Sequence, residues 1–239
     1  NLKIIATYQK KKYIGIQKMK NKTIVIIPAR GNSKRLPGKN TKFLGGIPLL
    51  AHSIKYAQQF SFVDDIYVTT DHSEIKDIAL QFGAKVIDRP SEISGDFEPT
   101  VSALKHVLTS ISDEVENVIL LQPTNPLRPE NLLEEAFELF LNSNADSLFT
   151  ISRNHDKLGK IVNHKFEPFN YTIGQRSQDW EPLFYENGLL YISKANLIKN
   201  DIIISENALP FEVNHTFAKV DIDTQEDFDY AVFLLNHDW

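Results

Sequence analysis

Between residues 23 and 152 the sequence alternates short apolar, β-branched runs with stretches of helical spacing, and this alternation constrains the fold most. Buried strands of a parallel sheet read as nearly continuous apolar runs, whereas amphipathic helices place apolar residues three and four apart. The predicted strands are residues 23–28, 65–70, 84–87, 117–121 and 147–152, and the predicted helices are residues 48–60, 73–82, 100–111 and 130–141. Units of these lengths predict right-handed connections on a mostly parallel sheet flanked by helices.

The alternation stops between residues 153 and 187, a segment that we call the arm. Six aromatic residues occur in it without a sustained period: Phe166, Phe169, Tyr171, Trp180, Phe184 and Tyr185. A connection of this length is uncommon inside a compact domain, and it indicates a lid, a dimer arm, or a surface excursion with its own small hairpin. We favour a dimer arm, because exposed aromatic residues usually mark a contact surface. Beyond the arm we predict strands at 189–193 and 218–222 and a helix at 224–235.

The charge distribution argues against a nucleic-acid-binding body. Residues 1–20 carry six lysines and no acidic residue, so that the net charge of −5 leaves −11 for residues 21–239. An acidic body repels nucleic acid, although a nucleic-acid-binding tail at the basic N-terminus stays open. That segment has no continuous apolar core, which argues against a signal peptide. Because Met19 is the only methionine, we interpret residues 1–18 as a leader or upstream extension.

Cysteine content and hydropathy limit the chemistry further. The chain has no cysteine, which excludes disulfides, thiolate metal sites and a cysteine nucleophile and fits a cytoplasmic location. No window approaches the roughly 20 apolar residues that span a bilayer, so we expect no membrane insertion.

The first predicted strand runs into a cationic, glycine-containing turn, residues 28–40. It holds four cations and two glycines: Arg30, Lys34, Arg35, Lys39, Gly31 and Gly38. Glycines let backbone N–H groups approach a phosphate, and cations neutralise it. The spacing fits neither a P-loop nor the dinucleotide fingerprint GxGxxG, so a dinucleotide oxidoreductase is a poor candidate. A merely solvated basic loop is the alternative, and the acidic body makes it less favoured.

Together with four later motifs, this turn resembles the signature of CMP-sialic acid synthetases (acylneuraminate cytidylyltransferases). The later motifs are RPSE at 89–92, LQPTNPLR at 121–128, NGLLYI at 187–192 and DIDT at 221–224. The resemblance implies a three-layer nucleotide-diphospho-sugar-transferase-like fold, with a nucleotidyltransferase core at 19–152 and 188–239 and a dimerisation or lid insertion at 153–187. It also implies transfer of CMP from CTP to the anomeric hydroxyl of a nonulosonic acid in sialic acid biosynthesis, with Mg2+ as cofactor and a homodimer that shares its sites.

The resemblance also implies which residues bind the nucleotide. Those similar to the family's CTP site are Arg30, Gly31, Asn32, Ser33, Lys34, Lys39, Asn40, Arg89 and Thr100, of which Arg30, Lys34 and Lys39 would act in catalysis. From the residues alone, Thr100 could equally be a helix N-cap and Arg89 a surface ion pair.

Asp221 and Asp223 are the candidate metal ligands. On a predicted strand at 218–222, side chains two residues apart share a face, so both carboxylates can converge on one cation. Carboxylates plus substrate phosphates are the usual ligands of Mg2+, and the resemblance implies the same role. Asp223 has an alternative role at the start of the last helix, beside the capping-box pattern from Thr224 to Asp227.

The sugar side of the site rests mostly on the resemblance. It implies that Gln122, Asn187 and Tyr191 contact the sugar acid, and that Arg176 and either Lys157 or Lys160 reach the partner's site. Gln122 precedes a proline-rich loop whose rigidity suits a specificity contact. In that loop Arg128 has two interpretations, a carboxylate contact or a supporting ion pair. Alternative substrates are KDO, KDN, legionaminate and pseudaminate, and a non-catalytic nucleotide-binding dimer is the alternative of another class.

Overall fold

The computed structural model describes residues 22–237, so the leader assigned to residues 1–18, and Met19, lie outside the described residues. Within them the strands are β1 (Lys22–Pro28), β2 (Phe43–Leu44), β3 (Ile47–Pro48), β4 (Asp65–Thr70), β5 (Lys85–Asp88), β6 (Val115–Leu120), β7 (Ser147–Asn154), β8 (Gly159–Val162), β9 (Lys165–Pro168), β10 (Leu183–Lys194) and β11 (Leu209–Glu212). The α-helices are α1 (Leu49–Ala57), α2 (Ser73–Gln81), α3 (Thr100–Ser110), α4 (Leu132–Leu141), α5 (Ala195–Lys199) and α6 (Gln225–Leu235). Short 3-10 turns cover Lys39–Thr41, Ser91–Ile93, Ser177–Asp179 and Thr216–Lys219.

Seven of the strands form one mixed sheet in the order β11-β7-β10-β6-β1-β4-β5. β1 pairs in parallel with β4 and β6, β4 with β5, and β7 with β11, whereas β10 runs antiparallel to both of its neighbours. The mostly parallel sheet is therefore confirmed. Because β1, β4, β5 and β6 run in the same direction, the loops that follow them meet at one edge of the sheet.

Alternate residues of the central strand β1 face opposite helical layers. Val25 and Ile27 pack with α1, α2 and α4, and Ile24 and Ile26 pack with α3 and α5. All four side chains are fully buried, which explains why β1 is apolar along its whole length. Burial of this kind contributes about 1.5–3 kcal/mol per large aliphatic side chain, so the layers hold the sheet's loops in place.

A third apolar cluster forms where α6 packs beside β2 and the start of α1, and it contains Val220 and Ile222 of the segment predicted as a strand. Ala218, Val220 and Ile222 are buried as the apolar alternation suggested. The predicted strand at 218–222 is nevertheless wrong, because residues Thr216–Lys219 form a 3-10 turn and no sheet pairing follows. In place of a ladder, the chain between this turn and α6 is held by a backbone hydrogen bond from Ile222 to Thr124 and by side-chain hydrogen bonds from Lys39 and Asn125 to its carbonyls.

The arm is an extension of the sheet's two antiparallel strands. Leu183 to Glu186 of β10 pair with Ile151 to Asn154 of β7 beyond the edge of the helical layers. The hairpin of β8 and β9 lies between them, and its exposed apolar side chains include Ile161 and Phe166.

The elements predicted between residues 23 and 152 are all found, with ends that differ by at most three residues. Those not predicted are the strands β2, β3 and β11 and the helix α5, whereas β8 and β9 form the small hairpin that was one interpretation of the arm. None of the helices within residues 22–237 has the length and apolar character needed to cross a membrane.

Candidate active site

The turn after β1 is fixed by hydrogen bonds to its own backbone. The carboxylate of Asp71, which follows β4, accepts from the N–H of Gly31 at 2.8 Å, and the side-chain amide of Asn40 donates to the carbonyl of Arg30 at 3.0 Å. The Gly31 N–H that we expected to face a phosphate is thus already bonded within the protein. Gly31 therefore contributes a fixed backbone position to the turn, and the cationic side chains are the groups that face the cleft.

These side chains open onto a cleft of about 540 Å3. Nine of the predicted site residues line it: Arg30, Ser33, Lys34, Lys39, Asn40, Arg89, Thr100, Gln122 and Asp223. Gly31 and Asn32 line a neighbouring cavity of about 500 Å3, which shares Ser33 and Lys34 with the cleft. The structure thus gathers residues from five separate segments of the chain into one place.

Asp223 joins the last of these segments to the turn. Its carboxylate accepts from Lys39 Nζ at 2.9 Å and from Arg35 at 2.5 Å. Lys39 is largely buried and also donates to the carbonyl of Ile222 at 2.8 Å. Asp223 and the cationic turn are therefore adjacent in space.

The Asp221 side chain is partly exposed and has charges of both signs around it. Partial desolvation raises its pKa, and the negative charge of Asp223 raises it further, whereas a hydrogen bond from Thr124 and the positive charge of Lys39 lower it. The backbone here is tied to the same loop, because the N–H of Ile222 donates to the carbonyl of Thr124 at 2.8 Å. A carboxylate whose charge is disfavoured in this way is ready to accept a cation.

The capping of α6 leaves the Asp223 side chain free of that task. Thr224 is the N-cap and forms a capping box with Asp227, which confirms the predicted pattern. Asp227 also accepts from the backbone N–H of Asp223 at 3.0 Å. The capping alternative for Asp223 is therefore wrong for its side chain, which turns towards the cationic residues.

Arg89 and Thr100 form another wall of the cleft. Arg89 donates to the carbonyl of Thr69 at 2.6 Å, and burial lowers the pKa of its guanidinium. The surface ion pair considered for Arg89 is thus not observed among the described residues. Thr100 begins α3, while Pro99 occupies the N-cap without a side-chain bond, so the Thr100 hydroxyl is not used as a cap.

Gln122 is held from behind by Arg128. Arg128 donates to the carbonyls of Gln122 at 2.9 Å and Leu189 at 2.7 Å and to the Ser53 hydroxyl at 3.0 Å. The supporting ion pair considered for it is not present among the described residues. Arg128 acts instead as a buried three-way clamp between the loop of Gln122 and strand β10.

Three predicted sugar-side residues lie outside the cleft lining. Asn187 is buried and its side-chain amide bonds to Thr150 at 2.6 Å and Ser152 at 2.9 Å, so it holds strands together and leaves no free acceptor for a sugar. Tyr191 bonds to Glu186 at 3.3 Å, and burial raises its pKa to about 12. Arg176 is exposed in the arm. The sugar contacts expected of Asn187 and Tyr191, and the contact expected of Arg176 with the partner's site, stay predictions.

Three residues of the site region were not predicted. Asp71 fixes Gly31, Asp96 contacts both Arg30 and Lys34, and Asn125 donates to the carbonyls of Asn187 and Val220. Asn125 thereby ties the Gln122 loop to the segment that leads into Asp221. An acid or amide in a polar loop shows no periodicity. The only sequence signal for these three residues was that they lie in loops near the ends of the predicted strands and helices.

A family model described as Cytidylyltransferase matches residues 24–237. The chain belongs to the cytidylyltransferase family. Among relatives in this family, N-acylneuraminate cytidylyltransferase of Streptococcus agalactiae serotype III is 33% identical over 91% of this chain and 54% of its own length. The chain therefore spans about half the length of that relative.

Other cytidylyltransferases match over nearly their full length. CMP-N,N'-diacetyllegionaminic acid synthase of Legionella pneumophila is 34% identical over 86% of this chain and 92% of its own. Pseudaminic acid cytidylyltransferase of Campylobacter jejuni is 29% identical over 91% and 98% of the two chains. A solved CMP:2-keto-3-deoxy-manno-octonic acid synthetase complexed with CTP aligns with a TM-score of 0.70 at 20% identity, covering 90% and 98%. That structural likeness supports the cytidylyltransferase fold.

Replacing Gly31 with alanine should displace the cationic turn of this cytidylyltransferase-family chain. A Cβ at residue 31 would lie 2.6 Å from Cδ2 and 2.7 Å from Cβ of His72, so either the turn or the end of β4 must move. Because a misplacement of about 1 Å can cost 100-fold in a positioned site, we expect CTP affinity to fall by about 10-fold or more. Titration of CTP measures this.

Gly95→Ala is the matched control for stability, because its new methyl group would meet its nearest neighbour, Glu98 Cγ, at 3.9 Å. Its unfolding temperature should equal that of the wild type. Unchanged CTP affinity in Gly31→Ala would show that His72 yields without moving the turn.

Proposed function

We propose that this chain transfers CMP from CTP to the anomeric 2-hydroxyl of a sialic-acid-type nonulosonic acid and releases pyrophosphate. The observation that carries the proposal is the meeting of the cationic turn with Asp223 in one cleft, where Lys39 Nζ lies 2.9 Å from the Asp223 carboxylate; Asp221, two residues earlier, does not line this cleft. The names of the bacterial relatives, which act on sialic, legionaminic and pseudaminic acids, support this substrate class.

The walls of the cleft suggest how the two substrates sit. Arg30, Lys34 and Lys39 suit a triphosphate, because lysine ammonium groups act as point charges and arginine binds phosphate through paired hydrogen bonds. Arg89 and Thr100 line the part of the cleft that we assign to cytosine, and Gln122 the part that we assign to the sugar acid. The clamp by Arg128 keeps Gln122 rigid, as a specificity contact requires.

A divalent cation such as Mg2+ fits the residues present. Asp221 and Asp223 offer two carboxylates, and the pKa of Asp221 is raised by burial and by its acidic neighbour, so a cation would relieve an unfavourable charge. The side-chain oxygen of Asn40 is buried and accepts no hydrogen bond from the described residues. The described residues contain no cluster of three or more acidic or histidine ligands, so nucleotide phosphates would complete the coordination. When bound, Mg2+ supplies charge neutralisation at the phosphates and lowers the pKa of a nearby hydroxyl.

The chain's own residues then position the two substrates and neutralise the charge of the phosphates. The sugar hydroxyl attacks the α-phosphorus while pyrophosphate leaves in line, a reaction that depends on alignment and charge more than on covalent catalysis. Arg30, Lys34 and Lys39 stabilise the departing pyrophosphate, and Gln122 orients the acceptor. Asp221 and Asp223 hold the cation. We assign no general base.

We also propose that the arm joins two copies into a cytoplasmic homodimer with shared sites. The arm exposes apolar side chains of Ile161, Phe166 and Phe169, which a second copy would cover. Arg176 is bonded within the arm to Asp179 at 2.9 Å and would exchange this contact for the partner's sugar site. Lys157 lies over the rings of Tyr171 and Trp180, and Lys160 lies over Phe169, so both lysines start from aromatic contacts.

The test is a panel of keto sugar acids incubated with CTP and Mg2+ and scored by pyrophosphate release. We expect turnover with an N-acylneuraminate or a close nonulosonic analogue and none after chelation of the metal. Preference for KDO, KDN, legionaminate or pseudaminate would reassign the acceptor within the same reaction. CTP binding without turnover on any of these acids would overturn the enzymatic proposal in favour of a non-catalytic nucleotide-binding dimer.

A further inference from the structure

The loop between the Ser91–Ile93 turn and α3 carries an acid in the middle of the predicted phosphate site. Asp96 accepts from Arg30 at 2.5 Å and also contacts Lys34 Nζ. These are two of the three cations that would neutralise the triphosphate. In the structure described here, a carboxylate of the protein occupies positions that a phosphate oxygen would take.

Little else anchors this loop. Phe97, next to Asp96, is fully exposed and packs against nothing that would fix it. Apart from the contacts of Asp96, residues 94–98 make local hydrogen bonds: Ser94 donates to Pro90 at 2.8 Å and to Ser91 at 3.1 Å, and Glu98 donates to Gly95 at 3.3 Å. Within residues 22–237, the ion pairs of Asp96 are therefore the polar link between the loop and the turn.

The link also lies between two cavities. The cleft of about 540 Å3 and its neighbour of about 500 Å3 are both lined by Ser33, Lys34, Gly95 and Asp96. The neighbour contains Asn32 and Gly38 of the turn, which the cleft does not reach. Separation of Asp96 from the two cations would join the cavities along the turn.

We propose that Asp96 is an internal counter-ion that occupies Arg30 and Lys34 until a polyphosphate displaces it, and that it thereby sets the affinity for CTP and the release of pyrophosphate. This inference rests on the proposed function, since it assumes that the cleft binds a nucleoside triphosphate. A triphosphate carries more negative charge than one carboxylate, so it displaces Asp96 from Arg30 and Lys34. Cytidine alone has no phosphate and does not bind these cations.

The charges favour such an exchange. Hydrogen bonds from Lys34 and Arg30 hold the pKa of Asp96 below its ordinary value, so the carboxylate stays ionised at neutral pH. The Lys34 side chain is 80% exposed, and solvent-exposed ion pairs exchange partners at small cost. The ion pairs of Asp96 with Arg30 and Lys34 therefore link the loop to the turn, and a phosphate group that binds the two cations can replace them.

Asp96→Asn tests the proposal by equilibrium titration of CTP, inorganic pyrophosphate and cytidine into the purified full chain with Mg2+. Removing two exposed pairs predicts roughly 3- to 10-fold tighter binding of CTP and pyrophosphate, with cytidine unchanged. Glu98→Gln is the matched control, because Glu98 lies in the same loop, lines the same cleft and pairs with no cation among the described residues. It should show a clearly smaller change.

Each other outcome overturns the counter-ion role. Weaker binding of CTP or pyrophosphate in Asp96→Asn would make Asp96 part of the ligand's or cation's own binding set. Equal effects in both variants would indicate only a general electrostatic effect of the loop's negative charge. Unchanged binding would show that Asp96 does not compete with phosphate for Arg30 and Lys34. The titration with pyrophosphate needs no sugar acid. Absence of turnover on the panel of acids would therefore refute the proposed reaction without deciding the role of Asp96.

Discussion

Asp221→Asn should lower the rate of pyrophosphate release by about 1,000-fold or more while the protein stays folded. A bound cation supplies several kcal/mol of charge stabilisation at phosphate oxygens, and about 4 kcal/mol corresponds to a factor of this size. An amide is a weaker ligand than a carboxylate and brings no negative charge. Single-turnover kinetics at saturating CTP and sugar acid measure the change.

The same substitution should leave the fold as stable as before, or slightly more so. Burial and Asp223 raise the pKa of Asp221, so the folded state favours its protonated form. A carboxyl group whose pKa is raised on folding destabilises the fold as the pH rises from the group's ordinary pKa through the raised pKa. Asparagine removes the disfavoured charge, so the unfolding temperature at pH 7 should not fall.

Glu226→Gln is the control for charge, because Glu226 is an exposed acid in the first turn of α6 and does not line the cleft. It should retain wild-type turnover. A second readout is the rise in unfolding temperature caused by CTP with Mg2+, which Asp221→Asn should reduce. Near wild-type turnover in Asp221→Asn would refute the assignment of this carboxylate to the metal.

Arg128→Met should lower the free energy of unfolding by about 2–4 kcal/mol. It removes the donor of three buried or half-buried acceptors, the carbonyls of Leu189 and Gln122 and the hydroxyl of Ser53. An unsatisfied buried acceptor costs about 1–3 kcal/mol. The loss is partly offset, because methionine avoids the cost of burying a cation without a carboxylate partner.

Urea unfolding at pH 7 measures this change, and Arg128→Lys is its comparison. Burial lowers the pKa of Arg128 to about 10, so the guanidinium is charged at that pH. Lysine keeps the charge but lacks the planar fork that reaches three acceptors, so it should recover only part of the stability. An unchanged midpoint in Arg128→Met would mean that water replaces the guanidinium and that the clamp is not structural.

The strands were predictable where buried side chains and pairing with a neighbouring strand occur in the same residues. The apolar runs of β1 and β4 are buried in the sheet, so their period and their hydrogen bonding agree. The segment with Ala218, Val220 and Ile222 shows the limit of that logic. Its alternation correctly predicted buried side chains, but a period of two does not require a neighbouring strand, and none pairs with it.

The arm was visible only as an irregularity. The strands β8 and β9 have largely exposed residues on both faces, so they show no alternation by which to recognise them. β10 was predicted too short because its ladder shifts register between Glu186 and Tyr191, where Gly188 adopts a left-handed φ of 75°. A bulge of this kind interrupts the apolar pattern although the strand continues.

The site was predictable as a set of residue types but not as a network. The turn cations and Asp223 meet as expected, whereas Asp96 could not be assigned a contact from its position in a polar loop. The structural contacts of Asn187 were not predictable for a related reason. A polar residue beside a predicted site suggests ligand binding, and only the structure shows its amide bonded to Thr150 and Ser152.

Strand β10 has a mechanical consequence, because one continuous element starts in the arm at Leu183 and ends in the core at Lys194. Midway along it, the carbonyl of Leu189 is bonded to Arg128, which is bonded in turn to the carbonyl of Gln122. A displacement of the far end of β10 therefore has a short, rigid route to the acceptor side of the cleft. A partner that binds the arm and displaces β10 would therefore also displace the backbone of Gln122 through Arg128.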